Sequence, residues 1–126
     1  MKSIIYSKDA PAPIGPYSQA VRAGNMLFVS GQIAIDPLTQ ELITGSIEDE
    51  TSRVMHNIQA LLEASGFSFS EIIKTSIFLS DMNHFALVNE IYGSFFQSDF
   101  PARETVAVLG LPKNVNVEIS VIAYKA

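Results

Sequence analysis

Hydrophobic periodicity switches between strand-type and helix-type spacing along the chain, and the order of these switches limits the folds that it can adopt. Residues 17–35 predict two strands joined at Ala23-Gly24-Asn25, because glycine and asparagine tolerate the positive φ of a tight hairpin turn. The run over 71–80 has apolar residues on both faces, which is typical of a strand inside a sheet. Two further strands follow Phe100.

Two segments with helical spacing separate these strands. Ser46, with Asp49 three residues later, predicts the start of the first helix, and Gly66 is placed to end it. The stripe of this helix is Val54, Ile58, Leu61, Leu62 and Ser65. Asp81 or Asn83 can cap the second helix. Its stripe is Phe85, Val88, Tyr92, Phe95 and Phe96.

The predicted order is ββαβαββ, and it favours an α+β fold. Strands that alternate with helices need crossover connections, so we expect a mixed sheet with both helices on one face. A chain of 126 residues is the size of one domain, residues 1–126. No predicted segment remains to cover the second face of the sheet, and charged residues make up only 17% of the chain. We therefore expect a homo-oligomer.

Several classes of function conflict with the composition. The net charge is −5 and the eight basic residues are scattered, which argues against a nucleic-acid groove. The chain has no cysteine, and neither histidine, His56 or His84, stands at metal-ligand spacing, so we expect no metal site and no cofactor. Phosphate-loop, dinucleotide, serine-hydrolase and zinc-protease motifs are absent. No segment resembles a signal peptide or membrane span, which predicts a cytoplasmic protein.

Two charged residues stand in strands where apolar residues are expected. Strand alternation places Arg103 and Thr105 on one face, with Glu104 on the other. In the last strand, Glu118 lies opposite a clean apolar face and therefore on the uncovered side of the sheet. One interpretation is a structural Arg–Glu pair at a subunit interface. The other is an anion site in which Arg103 binds a carboxylate and Glu118 handles protons.

Three further features are ambiguous in the same way. Asn89 lies on the apolar side of the second helix, either as a partner of a specific group or as a cap for backbone groups. Gly31, after Ser30, interrupts a good strand and indicates either a bulge, a close backbone approach by a ligand or plain packing. Two prolines and a glycine hold Tyr17 on a stiff loop, although most such loops are only turns.

These residues lie in segments that resemble the reactive intermediate deaminase A (RidA) family, also known as YjgF or L-PSP proteins. The resemblance covers residues 3–124 and is carried by an ordered set of motifs. They are APAPIGPYSQA, FVSGQIAIDP, IIKTSIFLSDMNHFALVNEIYGSFF, FPAR and LPKNVNVEISVIA. It implies a chorismate-mutase-like domain assembled as a homotrimer, with sites in the clefts between subunits. It also implies that another strand separates those carrying Arg103 and Glu118.

The resemblance further implies hydrolysis of enamines and imines, such as 2-aminoacrylate, to a 2-keto acid and ammonia. On this basis Arg103 would bind the substrate carboxylate, while Glu118, kept ionised by Arg103, would activate water. Tyr17 would close the pocket from a neighbouring subunit. The remaining substrate-binding positions implied are Ser30, Gly31, Asn89 and Thr105.

Two departures from the family pattern accompany this resemblance. Many close members read Arg-Ser-Cys where this chain has Arg103-Glu104-Thr105, and Ser120 stands where many have a second glutamate. Alternation directs Glu104 away from the pocket. Two other functions stay open: a trimeric 2-keto-acid or metabolite-binding protein without turnover, and an endoribonuclease, which the acidic net charge disfavours.

Overall fold

The computed structural model describes residues 1–126 and contains one six-stranded mixed sheet. Its elements are β1 (Lys2–Ile5), β2 (Ala20–Ala23), β3 (Met26–Gln32), α1 (Ile47–Ala64), β4 (Ile72–Leu79), α2 (Phe85–Gly93), β5 (Ala102–Ala107) and β6 (Val117–Tyr124). The strand order is β1-β2-β3-β6-β4-β5, in which β4 and β5 are parallel and the other pairs are antiparallel. The mixed α+β sheet is therefore confirmed, and β4 is an internal strand as predicted.

The first strand, β1, was missing from the predicted order. It pairs with β2 at the edge of the sheet, so the observed order is βββαβαββ. Its four residues are mostly exposed. A strand this short, with no buried face, leaves no alternation of apolar and polar residues in the sequence, and its pairing with β2 is a tertiary event.

The helix boundaries follow the capping signals at α1 more closely than at α2. The Ser46 side chain accepts a hydrogen bond from the backbone N–H of Asp49, and Gly66 takes the positive φ of 78° that ends the helix. Asp81 caps a short 3₁₀ turn that leads into α2. Because α2 ends at Gly93, the two phenylalanines of its predicted stripe, Phe95 and Phe96, lie beyond the helix and pack against the core from there.

Both helices cover one face of the sheet. The predicted stripe of α1 is buried, and so is one face of β6, formed by Val117, Ile119, Val121 and Ala123. The opposite face carries exposed apolar side chains, among them Phe28, Val106 and Tyr124. We call this second surface the open face. Its exposure leaves apolar area unburied in a single chain.

Neither helix has the length and apolar character needed to cross a membrane.

Replacing the N-cap of α1 tests how far local signals stabilise this fold. Ser46→Ala removes the acceptor for the Asp49 N–H and should lower the free energy of unfolding by about 1 kcal/mol. Ser46→Asp keeps an acceptor and should lie within ~0.3 kcal/mol of wild type. Urea denaturation at one fixed protein concentration measures both, and equal stability of all three proteins would contradict the capping role.

Candidate active site

The sheet holds Arg103 and Glu118 on opposite faces. Strand β4 lies between β5, which carries Arg103, and β6, which carries Glu118. Arg103 pairs in register with buried Thr75 and so faces the helices. Glu118 pairs in register with Phe78 on the open face. The two charges therefore form no ion pair within one chain.

Glu118 lies in a cavity of about 330 Å³ that Tyr17, Ser30 and Gly31 also line. The carboxyl group is half-buried, and this burial raises the pKa of Glu118 above 4.5, its ordinary value. The sequence-based expectation was that Arg103 would keep Glu118 ionised. Within one chain that neighbour is missing, because the two residues project from opposite faces of the sheet.

Gly31 allows the close approach of Glu118. A Cβ atom at position 31 would lie 2.5 Å from Oε2 and 2.8 Å from Cδ of Glu118. The register between β3 and β6 shifts between Val29 and Gln32, which identifies a bulge at this glycine. The bulge was one of the predicted reasons for this glycine, whereas the group that approaches its backbone in the structure is the Glu118 side chain, in place of the expected ligand.

The N-terminal loop that forms one wall of this cavity is held by a buried amide, that of Gln19. Its Oε1 accepts from the Ser7 N–H at 2.7 Å, and its Nε2 donates to the carbonyls of Ser7, Ala10 and Pro11. The Ser30 hydroxyl donates to the backbone carbonyl of Ser18 at 2.6 Å. These bonds place Tyr17 at the cavity on an ordered segment.

Arg103 lies in a second cavity, of about 480 Å³, beside α2. Its guanidinium donates to Asn89 Oδ1 at 2.7 Å and lies over the rings of Phe85 and Tyr92, at 5.7 and 5.4 Å from their centroids. No carboxylate forms an ion pair with it. A guanidinium held in place, with most of its N–H donors unused, is suited to binding an external carboxylate.

Tyr92 is part of the support for Arg103. Its hydroxyl donates to Thr75 Oγ1 at 2.9 Å. Burial raises the pKa of Tyr92, although the hydrogen bond to Thr75 and the charge of Arg103 act in the opposite direction. The hydrogen bond to Thr75 holds the Tyr92 ring in place under the Arg103 guanidinium.

The neighbours of Arg103 in β5 divide as alternation predicts. Thr105 shares the Arg103 side, and its hydroxyl oxygen is buried without a hydrogen-bond partner. Glu104 lies on the open face, where it forms an ion pair with Lys74 at 3.0 Å and accepts a hydrogen bond from Ser76. The hydrogen bond from Ser76, together with Lys74, lowers the pKa of Glu104. Glu104 therefore does not compete for Arg103 in the chain.

The structure groups the predicted residues differently from the sequence-based expectation. One cavity contains Glu118, Gly31, Ser30 and Tyr17, and the other contains Arg103 and Asn89. Thr105 shares the Arg103 face of the sheet but does not line the second cavity. Tyr17 was expected to reach the site from another subunit, but it already shares a cavity with Glu118 in the same chain. Arg103 is the residue that the sheet keeps apart from Glu118.

Sequence reasoning missed Gln19 and Tyr92 as supporting residues. Gln19 gave no signal, since a glutamine within a predicted strand segment is ordinarily exposed. Tyr92 belonged to the predicted apolar stripe of the second helix. Its contact with Arg103 was not predictable, because the pairing of β5 with β4 decides which side chain lies over the ring.

Together, the fold and the two cavities define an α+β domain with a carboxylate in one cavity and a guanidinium in the other, on separate surfaces. A family model described as Endoribonuclease L-PSP matches residues 7–125. The chain therefore belongs to the L-PSP family, to which the RidA and YjgF proteins also belong.

Relatives agree with this membership. A RutC family protein of Pyrococcus horikoshii is 53% identical over 99% of both chains. A 2-iminobutanoate/2-iminopropanoate deaminase of Dermatophagoides farinae is 49% identical over 96% of this chain and 94% of its own.

Solved structures share the fold. A protein from Thermotoga maritima superposes with a TM-score of 0.98 at 52% identity, covering 100% of this chain and 99% of the other. TdcF of E. coli, crystallised with bound serine, has a TM-score of 0.95 at 41% identity, covering 98% and 99%.

Gly31→Ala tests the close approach of the backbone to Glu118. The added methyl group overlaps the Glu118 carboxylate and should displace it toward water, so the pKa of Glu118 should fall toward 4.5. Gly45→Ala is the matched control, since a Cβ at position 45 meets no atom within 4 Å. Carboxyl NMR titration measures both variants. An unchanged pKa of Glu118 in Gly31→Ala would contradict the close approach of the Gly31 backbone to the carboxylate.

Proposed function

We propose that this protein is an imine deaminase that hydrolyses enamines and imines such as 2-aminoacrylate to a 2-keto acid and ammonia, without metal or cofactor. One observation carries the proposal: the chain presents a fixed guanidinium without a carboxylate partner and a half-buried carboxylate without a cationic partner. A substrate that carries both a carboxylate and a basic imine nitrogen complements these two groups. The relative from Dermatophagoides farinae bears the name of such a deaminase.

Arg103 anchors the substrate carboxylate. Its planar guanidinium can donate two parallel hydrogen bonds to one carboxylate, and Asn89 and Tyr92 already restrict its orientation. Less side-chain entropy is therefore lost when the ligand binds. Asn89 and Thr105, on the same side, orient the substrate next to the anchor.

Glu118 acts on the attacking water. The imine carbon is already electrophilic, so positioning and proton transfer are sufficient for hydrolysis. Glu118 accepts a proton as water adds to the carbon of the protonated imine, which gives a carbinolamine, and then passes this proton to the amino nitrogen; the hydroxyl proton of the carbinolamine is lost to solvent as the carbonyl forms. The C–N bond breaks, ammonia leaves, and the carbonyl of the 2-keto acid forms. A raised pKa brings Glu118 closer to the working pH of a general base.

The other residues of the Glu118 cavity enclose the substrate. Tyr17 closes the cavity from its loop, and the backbone at Ser30 and Gly31 comes close to the reacting centre because position 31 has no side chain. Enclosure of this kind excludes bulk water from the imine and strengthens the electrostatic interactions.

A complete site requires two copies of the chain. Within one chain the sheet separates Arg103 from Glu118, so Arg103 of one copy must meet Glu118 of another. The open face, with its exposed Phe28, Val106 and Tyr124, provides apolar surface for such an assembly. We assign the assembly as a homotrimer, in which each contact between neighbours forms one site.

A ligand-binding protein without turnover is the second candidate. TdcF of E. coli binds serine, which carries the carboxylate that Arg103 would recognise but no imine carbon. In this case Arg103 would keep its role and Glu118 would not be needed for chemistry. The acidic net charge of −5 gives no support to ribonuclease activity.

Imine turnover distinguishes the two candidates. An L-amino-acid oxidase generates the imine, and semicarbazide traps the part that survives. Wild type should lower trapping, Glu118→Gln should lose roughly 10²–10⁴-fold of the rate, and Arg103→Ala should lose about a hundredfold or more in kcat/KM.

The matched control is Arg22→Ala, because Arg22 also lies over an aromatic ring, that of Phe67, at 5.1 Å and lines neither cavity. This variant should keep wild-type turnover. Full activity in Glu118→Gln would remove the catalytic role of Glu118. No turnover by wild type on any imine would favour the binding protein.

Mixing two inactive variants tests whether the site lies between copies. Trimers reassembled from equal amounts of Arg103→Ala and Glu118→Gln should regain activity at about a quarter of their sites, those in which the intact Arg103 of one chain meets the intact Glu118 of the next. Each variant alone should stay inactive after the same treatment. A mixture that stays inactive, although mass spectrometry shows mixed trimers, would contradict the two-chain site.

A further inference from the structure

Glu50, in the first turn of α1, is completely buried, with an exposed fraction of 0%. No lysine, arginine or histidine forms an ion pair with it. A buried carboxylate is costly unless hydrogen bonds replace its hydration. The mechanism proposed above does not use Glu50, so its presence in the core needs another reason.

All hydrogen bonds to the Glu50 carboxylate come from one short segment, Asn116-Val117, at the start of β6. Oε2 accepts from the backbone N–H groups of Asn116 and Val117, at 2.7 and 3.1 Å. Oε1 accepts from Nδ2 of Asn116 at 2.9 Å. The carboxylate thus satisfies two backbone donors at the start of β6 and holds them against α1.

Asn116 connects the same segment to β4. Its side-chain Oδ1 accepts from the Ser80 hydroxyl at 3.1 Å, and its carbonyl accepts from the Ser80 N–H at 3.0 Å. Asn116 is therefore held from two sides, by Glu50 on the helix layer and by Ser80 at the end of β4.

Glu118 follows this segment directly and depends on it. The Glu118 carboxylate has no hydrogen bond of its own to the protein, and it lies close to the Gly31 backbone, where a Cβ would be 2.5 Å away. The position of the Glu118 carboxylate therefore depends on where the backbone of β6 begins, at Asn116-Val117. A shift of the start of β6 would move the carboxylate relative to the Gly31 backbone.

We propose that Glu50 and Asn116 form a positioning pair that sets the place of Glu118 in its cavity. This inference rests on the proposed function for its catalytic consequence, but the placement itself is a geometric property of the chain. Neither residue contacts the cavity that holds Glu118, so both act through the backbone.

The pair permits a reciprocal exchange of amide and carboxylate. Glu50→Gln alone turns an amide N–H₂ toward Nδ2 of Asn116, so the Asn116 amide must flip and exchange its donor and acceptor toward Ser80. Asn116→Asp alone sets two carboxylates against each other. In the double variant Glu50→Gln/Asn116→Asp, the new amide oxygen can accept from the two backbone N–H groups, and the new amide nitrogen can donate to Asp. The formal charge of the pair is conserved. The direction of the hydrogen bond between the two side chains is reversed, since position 50 now donates and position 116 accepts.

Each single variant should lower kcat for imine hydrolysis by about ten- to hundredfold, because a small displacement of Glu118 has this cost. KM should stay within about threefold, since the Arg103 anchor is unchanged. The double variant should recover kcat to within about threefold of wild type, which is a strongly non-additive result.

Val54→Ala is the control for loss of stability alone. Val54 is buried in the same helix and contacts the apolar core, so this variant destabilises α1 without touching Asn116. It should leave kcat within about twofold at a temperature where the protein is folded. If Val54→Ala lowers kcat as much as Glu50→Gln at equal stability, or if Glu50→Gln keeps the wild-type kcat, the positioning role is wrong.

Crystal structures of Glu50→Gln and Val54→Ala provide a readout that does not depend on activity. The proposal expects the Glu118 carboxylate to leave its place over Gly31 only in Glu50→Gln. An unmoved carboxylate overturns it. If wild type shows no imine turnover, the proposed function fails, while these two structures still decide whether Glu50 positions Glu118.

Discussion

The antiparallel pairing of β6 with β3 on one side and β4 on the other is the interaction on which the rest of the structure depends. It buries one face of β6 under the helices and turns the other face, with Glu118, to the open side. The bulge in β3 at Gly31 brings the neighbouring backbone against the carboxylate. Pairing with β4 leaves β5, and therefore Arg103, one strand further away. The core and the separation of the two charges thus have the same origin.

Separated charges of this kind are costly unless each has its own support. Arg103 stays partly in water, where its charge is hydrated, and its fork is oriented by Asn89 and two aromatic rings. Glu118 is half-buried without a partner, and its raised pKa reflects that cost. An internal ion pair would have lowered this cost and removed both groups from ligand binding. A chain that keeps them apart leaves neither charge neutralised by the other.

Much of the local structure was predictable from spacing and capping signals. Alternation placed Arg103 and Glu104 on different faces, and Ser46 and Gly66 marked the ends of α1 correctly. Strand β1 was not predictable, because four mostly exposed residues carry no periodic signal. For the site, residue patterns singled out Arg103, Glu118 and three further positions, the family resemblance supplied their expected roles, and only the structure showed how they are grouped. Gln19 and Glu50 also escaped, because a buried polar side chain is recognised only through partners that are distant in sequence.

The sequence by itself determined the element types, their order after β1, and the face on which each strand residue lies. These are local properties, since side chains alternate along a strand and recur every three to four residues along a helix. Only the tertiary structure decided which strands are neighbours, because hydrogen bonds between strands join residues far apart in the chain. Strand β5 therefore follows α2 in sequence but pairs in parallel with β4, while β6 crosses to the other side of β4. That non-local choice, and not the residue types, places Arg103 and Glu118 in separate cavities of one chain.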